Sequence, residues 1–149
     1  PCNLYGIGDN YHPENAHVVP MLIRRFHEAK QRGDKTVTAW GTGTPLREFL
    51  FSDDLASACV YLMENKNADE IGEFINIGSG KERTIKEIVE LVKKTVGFEG
   101  EVEWDKTKPD GTPRKLMDVS RINELGWKST VELEEGLKIA YNDFLARYS

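Results

Sequence analysis

Apolar positions along this chain follow two periods. In HVVPMLIRRFHEAKQRG, residues Val18, Val19, Leu22, Ile23 and Phe26 fall on one face of a helix. Pro20 is tolerable only in a first turn and Gly33 suits a C-terminal cap, so the spacing predicts a helix near 18–32. KTVTAW and REFLF are β-prone runs on either side of the turn-like GTGTP and predict two short strands. SDDLASACVYLMEN offers Ser52 as N-cap, Asp53 and Asp54 for the first turn, and an apolar helical face. EFINIGSG predicts a buried strand of about four residues ended by glycines. TIKEIVELVKKTVG carries a capping-box pair, Thr84 with Glu87, ahead of Ile85, Ile88, Val89, Leu91 and Val92, with Gly97 to close the helix. GEVEW alternates as a strand, and DVSRINELGW and VELEEGLKIAYNDFLARY predict a short and a long terminal helix. No repeat or low-complexity tract interrupts this alternation, which is that of an α/β fold.

Composition narrows the function classes. The 149 residues are 39% hydrophobic and 30% charged with a mean hydropathy of −0.51, which fits one globular domain with one core. No run approaches the ~18 apolar residues of a membrane span. A net charge of −5 argues against a nucleic-acid partner, while still allowing a few local cations to hold a small anion. Two cysteines, Cys2 and Cys59, do not make a disulfide framework and fit a cytoplasmic setting. The abrupt start at PCNLYG, with neither Met nor a signal peptide, is what a piece of a longer protein would show.

The three histidines differ in placement. His12 and His17 are five apart and do not share a helix face, and no cysteine or carboxylate set lies nearby at zinc spacing, so no metal site is expected. His12 precedes Pro13 in a turn, which suits an exposed structural role. His27 lies mid-helix beside Arg24 and Arg25, as a solvated or partly packed side chain. His17 sits where loop becomes helix. There an imidazole, titrating near pH 6.5, can serve as a general acid facing a cleft, or can simply bond the backbone at the helix start.

Taken in order, the segments resemble the C-terminal half of an extended short-chain dehydrogenase/reductase acting on nucleotide sugars. PCNLYGIGDN is similar to that family's Pro-x-Asn-x-Tyr-Gly segment, WGTGTPLREFLFSDDLASA to its Gly-x-Gly and Arg-Glu/Asp-Phe run, and FINIGSG with TIKEIVELV to its next strand and helix. Within the superfamily, HPENAHVVPMLIRRFHEA and KPDGTPRKLMDVSRINELGW are similar to the GDP-L-fucose synthases, which are GDP-4-keto-6-deoxy-D-mannose 3,5-epimerase/4-reductases. The resemblance implies that residues 1–149 form a C-terminal substrate-binding portion, with SDDLASACVYLMEN and EFINIG returning to a Rossmann sheet outside this chain. It also implies NADPH as cofactor, GDP-4-keto-6-deoxy-D-mannose as substrate, a homodimer as the full-length enzyme, and no turnover by this portion alone. Other NAD(P)-dependent nucleotide-sugar epimerases or dehydratases, and a noncatalytic nucleotide-sugar-binding module, are the alternatives.

The same resemblance assigns residues one at a time. His17 matches the histidine that handles protons at C3 and C5 and also borders the cofactor, whereas His12 shapes the loop. Pro1, Cys2, Asn3 and Leu4 match the segment lining the nicotinamide end. Cys2 stands where Thr is usual and is not the catalytic cysteine, which belongs upstream. Asn3, Arg25, Trp40, Arg47, Asp110 and, more weakly, Lys115 match substrate-binding positions. Each also has a plainer reading: Arg25 as a solvated helix charge, Arg47 as an ion pair with Glu48 or Asp53, Trp40 as core, and Asp110 as the Asp of an Asp-Gly turn.

Overall fold

The structure, a computed structural model, describes residues 1–148. Its elements are β1 (Asn3–Tyr5), α1 (Val18–Arg32), β2 (Thr36–Trp40), β3 (Leu46–Phe51), α2 (Ser52–Asn65), α3 (Ala68–Ile71), β4 (Glu82–Thr84), α4 (Ile85–Val96), β5 (Glu101–Asp105), β6 (Arg114–Lys115), α5 (Ser120–Glu124) and α6 (Leu133–Tyr148). The mixed α/β expectation is met. β3 is the hub: it pairs in parallel with β1 (Leu4 opposite Leu50) and with β6, and antiparallel with β4. β2 and β5 form a separate parallel pair.

Side chains alternate across a strand, so β1 and β3 serve two cores. Tyr5, Phe49 and Phe51 join the larger one with Leu22, Ile23 and Phe26 of α1, Val89 and Val92 of α4, and Leu137 and Phe144 of α6. Leu4 and Leu50 face the other way, toward Ala58, Leu62, Ile122 and Trp127. Burying an aliphatic or Phe side chain is worth about 1.5–3 kcal/mol, and three amphipathic helices each commit one stripe to the larger core. Local signals set the ends of two of them. Gly33 closes α1 in the left-handed conformation at φ 71°, and Thr84 and Glu87 form the reciprocal capping box of α4. No helix of the described residues is long and apolar enough to cross a membrane.

Three expectations are corrected. Phe51, not Ser52, holds the N-cap position of α2, and the Ser52 hydroxyl is turned to Asp53. EFINIG forms no strand: Ile77 is buried and its carbonyl accepts from Cys2 N at 3.2 Å, but Phe74 is 73% exposed. An apolar β-prone run becomes a strand only where a neighbour supplies a hydrogen-bond ladder.

His27, finally, is buried rather than solvated. It packs on Phe144, its Nδ1 lies 3.0 Å from the Tyr141 hydroxyl, and its Nε2 is buried without a partner. Burial, helped by the nearby Lys30, holds its pKa below the ordinary 6.5. The unfolded chain therefore takes up this proton first. The contribution of His27 to stability should be complete above about pH 6.5 and decline as the pH falls through the folded-state pKa. Urea titrations at pH 7.5 and 5.5 should show a smaller stability loss in His27→Leu than in the unsubstituted protein. An equal loss would assign the pH dependence to other groups.

Candidate active site

One face of α1 faces a cleft of about 270 Å³. Val18, Met21, Leu22 and Arg25 recur at i, i+3, i+4 and i+7 and form one wall. Ala39 and Trp40 at the end of β2, Arg47 and Phe49 of β3, Ile85 and Val89 of α4, Asn3 and Asp110 complete the lining. Five residues singled out from sequence, Asn3, Arg25, Trp40, Arg47 and Asp110, thus converge from five separate segments.

Arg25 donates to the Thr38 carbonyl at 2.8 Å and its guanidinium lies 5.8 Å from the Trp40 ring centroid. Burial lowers its pKa. Arg47 donates to the Leu46 carbonyl at 2.8 Å and pairs with neither Glu48 nor Asp53. Glu48 is its neighbour on a strand and so points to the opposite face. Among the described residues neither guanidinium has a carboxylate within 4.0 Å. Two positive groups therefore face the cleft with unused donors. Trp40 is 58% exposed rather than core, with Lys108 Nζ on it at 5.5 Å. Asp110 is held in place: its two oxygens accept from Thr42 N at 2.6 Å and Thr42 Oγ1 at 2.7 Å, and those bonds lower its pKa. Gly41, at φ 82°, makes this possible, since a Cβ there would run into the Asp110 carboxylate.

A second cavity of about 410 Å³ opens beyond Asn3, lined by Pro1, Cys2, Glu48, Lys115 and Met117 among others. Lys115 lines this second cavity, while its backbone is the register partner of Arg47 across β6 and β3, and the Leu4 side chain packs on the smaller core. Burial, then the nearby Glu48, pushes the Cys2 thiol up to about 11, so Cys2 is a neutral wall rather than a nucleophile. Glu48 was missed from sequence. It is fully buried, and its carboxylate accepts from Gly80 N at 2.7 Å and Met117 N at 2.8 Å, tying two loops to β3. The only hint was strand alternation: with Arg47 on one face, Glu48 must enter the other.

His17 stands at the N-cap of α1, adjoining Val18 of the cleft wall. It is exposed, its carbonyl accepts from Met21 N at 2.9 Å, and its side chain does not cap the helix. Burial raises the Asp9 carboxyl pKa, and hydrogen bonding from Asn10 together with the charge of His17 opposes that rise. His12 Nδ1 accepts from Glu14 N at 3.2 Å, a local turn contact within the loop. Of the three histidines, His17 is the exposed one that directly precedes the cleft-wall residue Val18, and it does not itself line the cleft.

Over 145 residues the chain is 59% identical to GDP-L-fucose synthase 1 of Arabidopsis thaliana, covering 97% of this chain and 44% of the relative. It is 48% identical to GDP-L-fucose synthase of Escherichia coli K12, covering 97% and 47%. The chain thus spans a little under half the length of these relatives. Among solved structures, a GDP-L-fucose synthetase from Naegleria fowleri superposes with a TM-score of 0.89 at 29% identity, over 98% of this chain and 44% of that one. A GDP-L-fucose synthetase from the same organism bound to NADP gives 0.86 at 28% identity, over 98% of this chain and 45% of that one. Residues 1–78 match the NAD dependent epimerase/dehydratase family, and with more than half of its length so matched, the chain belongs to that family.

Proposed function

We propose that this chain is the substrate-binding, C-terminal portion of a GDP-L-fucose synthase that converts GDP-4-keto-6-deoxy-D-mannose to GDP-L-fucose, by epimerisation at C3 and C5 and NADPH-dependent reduction at C4. The observation that carries this reading is the pair of guanidiniums, Arg25 and Arg47, facing one cleft without carboxylate partners among the described residues. Permanently charged, multidentate donors suit a diphosphate. The exposed Trp40 face offers a stacking surface for base or sugar, and Asp110, fixed by Thr42, retains lone pairs for guanine or ribose donors. Asn3 lines both cavities and so lies where sugar and nicotinamide would meet.

The cavity beside Pro1, Cys2 and Asn3, whose wall also carries Glu48 and Lys115, is where the nicotinamide end would lie. NADPH, when bound, supplies the hydride for C4. Pro1 to Leu4 would border its nicotinamide end through backbone and small side chains, with His17 alongside. His17 moves the protons at C3 and C5 together with a cysteine from outside this chain. In the full-length enzyme, which we take to be a homodimer, α2 and the extended segment around Ile77 rejoin a Rossmann sheet, and this portion alone lacks turnover.

Calorimetric titration of the full-length protein with GDP, UDP and dTDP tests the assignment. GDP should bind most tightly. UDP binding as tight or tighter would move the protein to another nucleotide-sugar epimerase or dehydratase.

A further inference from the structure

The His17 imidazole makes no hydrogen bond among the described residues, so its position is set by the path of the backbone that carries it. That path is the irregular segment 6–17, and one face of α6 grips it. Ala140, Asp143, Phe144 and Arg147 recur at i, i+3, i+4 and i+7 along that helix. The Asp143 carboxylate accepts from Gly8 N at 3.0 Å and from Arg147 at 3.1 Å. Arg147 also donates to the Asp9 carbonyl at 3.3 Å. The Ala140 carbonyl accepts from the Tyr11 hydroxyl at 2.9 Å, with Tyr11 buried against Phe144 at 4.9 Å between ring centroids. From the other side, Arg24 of α1 donates to the Tyr11 carbonyl at 2.9 Å.

We propose that the Asp143–Arg147 pair at the end of α6 is a positioning clamp for His17, fixing the loop that carries it into α1 next to Val18 of the cleft wall. The proposal rests on His17 as the proton-transfer group. Both residues lie on a helix that touches neither cavity wall through them, so they act only through the segment they hold. A bare glycine N–H and a carbonyl are the points of attachment. Substitution of the Asp9 side chain therefore leaves its carbonyl contact available, whereas Gly8, at φ 77°, needs its glycine, and substitutions at 143 and 147 remove the contacts. Misplacing a reacting group by about 1 Å can cost on the order of 10²-fold in rate.

The test measures solvent deuterium incorporation at C3 and C5 of the keto sugar, at saturating sugar, in full-length protein. Asp143→Leu should slow exchange by up to about 10²-fold while leaving the KM for the sugar and the rate of hydride transfer to a C4 ketone unchanged. Asp143→Asn keeps an acceptor for Gly8 N and should recover most of the rate. If Asp143→Leu does not fold, Arg147→Gln gives the same reading through a several-fold loss. Full exchange in folded Asp143→Leu or Arg147→Gln, beside a slowed His17→Asn, overturns the clamp alone. Full exchange in His17→Asn overturns the role of His17 itself. A loss spread equally over exchange, KM and hydride transfer would mark the contacts as general scaffolding and also overturn the proposal.

Discussion

Replacing His17 with asparagine should slow exchange of solvent deuterium into C3 and C5 by about 10²- to 10⁴-fold, the usual contribution of a positioned general acid or base. Asparagine keeps the size and some hydrogen-bonding capacity of imidazole but cannot titrate. Because the His17 side chain neither caps α1 nor packs into a core, its loss should leave folding close to its original stability, and GDP affinity, carried by Arg25 and Arg47, should hold. Hydride transfer to a C4 ketone should persist as well. His12→Asn is a suitable control, since an amide oxygen can replace Nδ1 as acceptor for Glu14 N. His27 cannot serve as one: it is buried at the α1–α6 contact, and its substitution acts on stability. Exchange at the original rate in His17→Asn would return His17 to a helix-start residue.

Removing either cleft guanidinium should weaken GDP binding by about 1.5–3 kcal/mol, the range for a hydrogen bond to a charged group, or roughly 10- to 150-fold in Kd. Arg47→Ala is the cleaner test, because Arg47 otherwise only bonds the adjacent Leu46 carbonyl. Arg25→Ala also frees the Thr38 carbonyl and uncovers Trp40, so Arg25→Lys is a useful companion: it keeps the charge and loses the fork. Arg32, already paired with Asp34 at 2.8 Å on the surface, should change nothing when replaced by alanine. Calorimetry with GDP decides between the two roles. An unchanged affinity in Arg47→Ala would make it a solvated charge.

What could be read along the chain was whatever is decided within about one helical turn or one strand. The α1 stripe of Leu22, Ile23 and Phe26, the Gly33 cap and the Thr84–Glu87 capping box each follow from neighbouring residues, and each was found where expected. The candidate cleft residues, by contrast, were picked out by resemblance. Nothing in their spacing brings Arg25, Trp40, Arg47 and Asp110 together.

Failures occurred where a remote neighbour decides. EFINIG has the pattern of a strand, but a strand exists only with a ladder, and here Cys2 N at the Ile77 carbonyl and the Arg121 side chain at the Phe74 carbonyl make isolated contacts instead. His27 read as a solvated or partly packed helix residue, because its helix could not reveal that Tyr141 and Phe144, more than a hundred residues later, bury it. Glu48 and Arg47 are adjacent in sequence, yet strand alternation sends one to tie down two loops and leaves the other unpaired at the cleft. Local propensity and capping act through bonds between near neighbours and so are written in short stretches of sequence. Burial, strand pairing and the meeting of charges at a site depend on which distant segments pack together, and only the folded chain decides that.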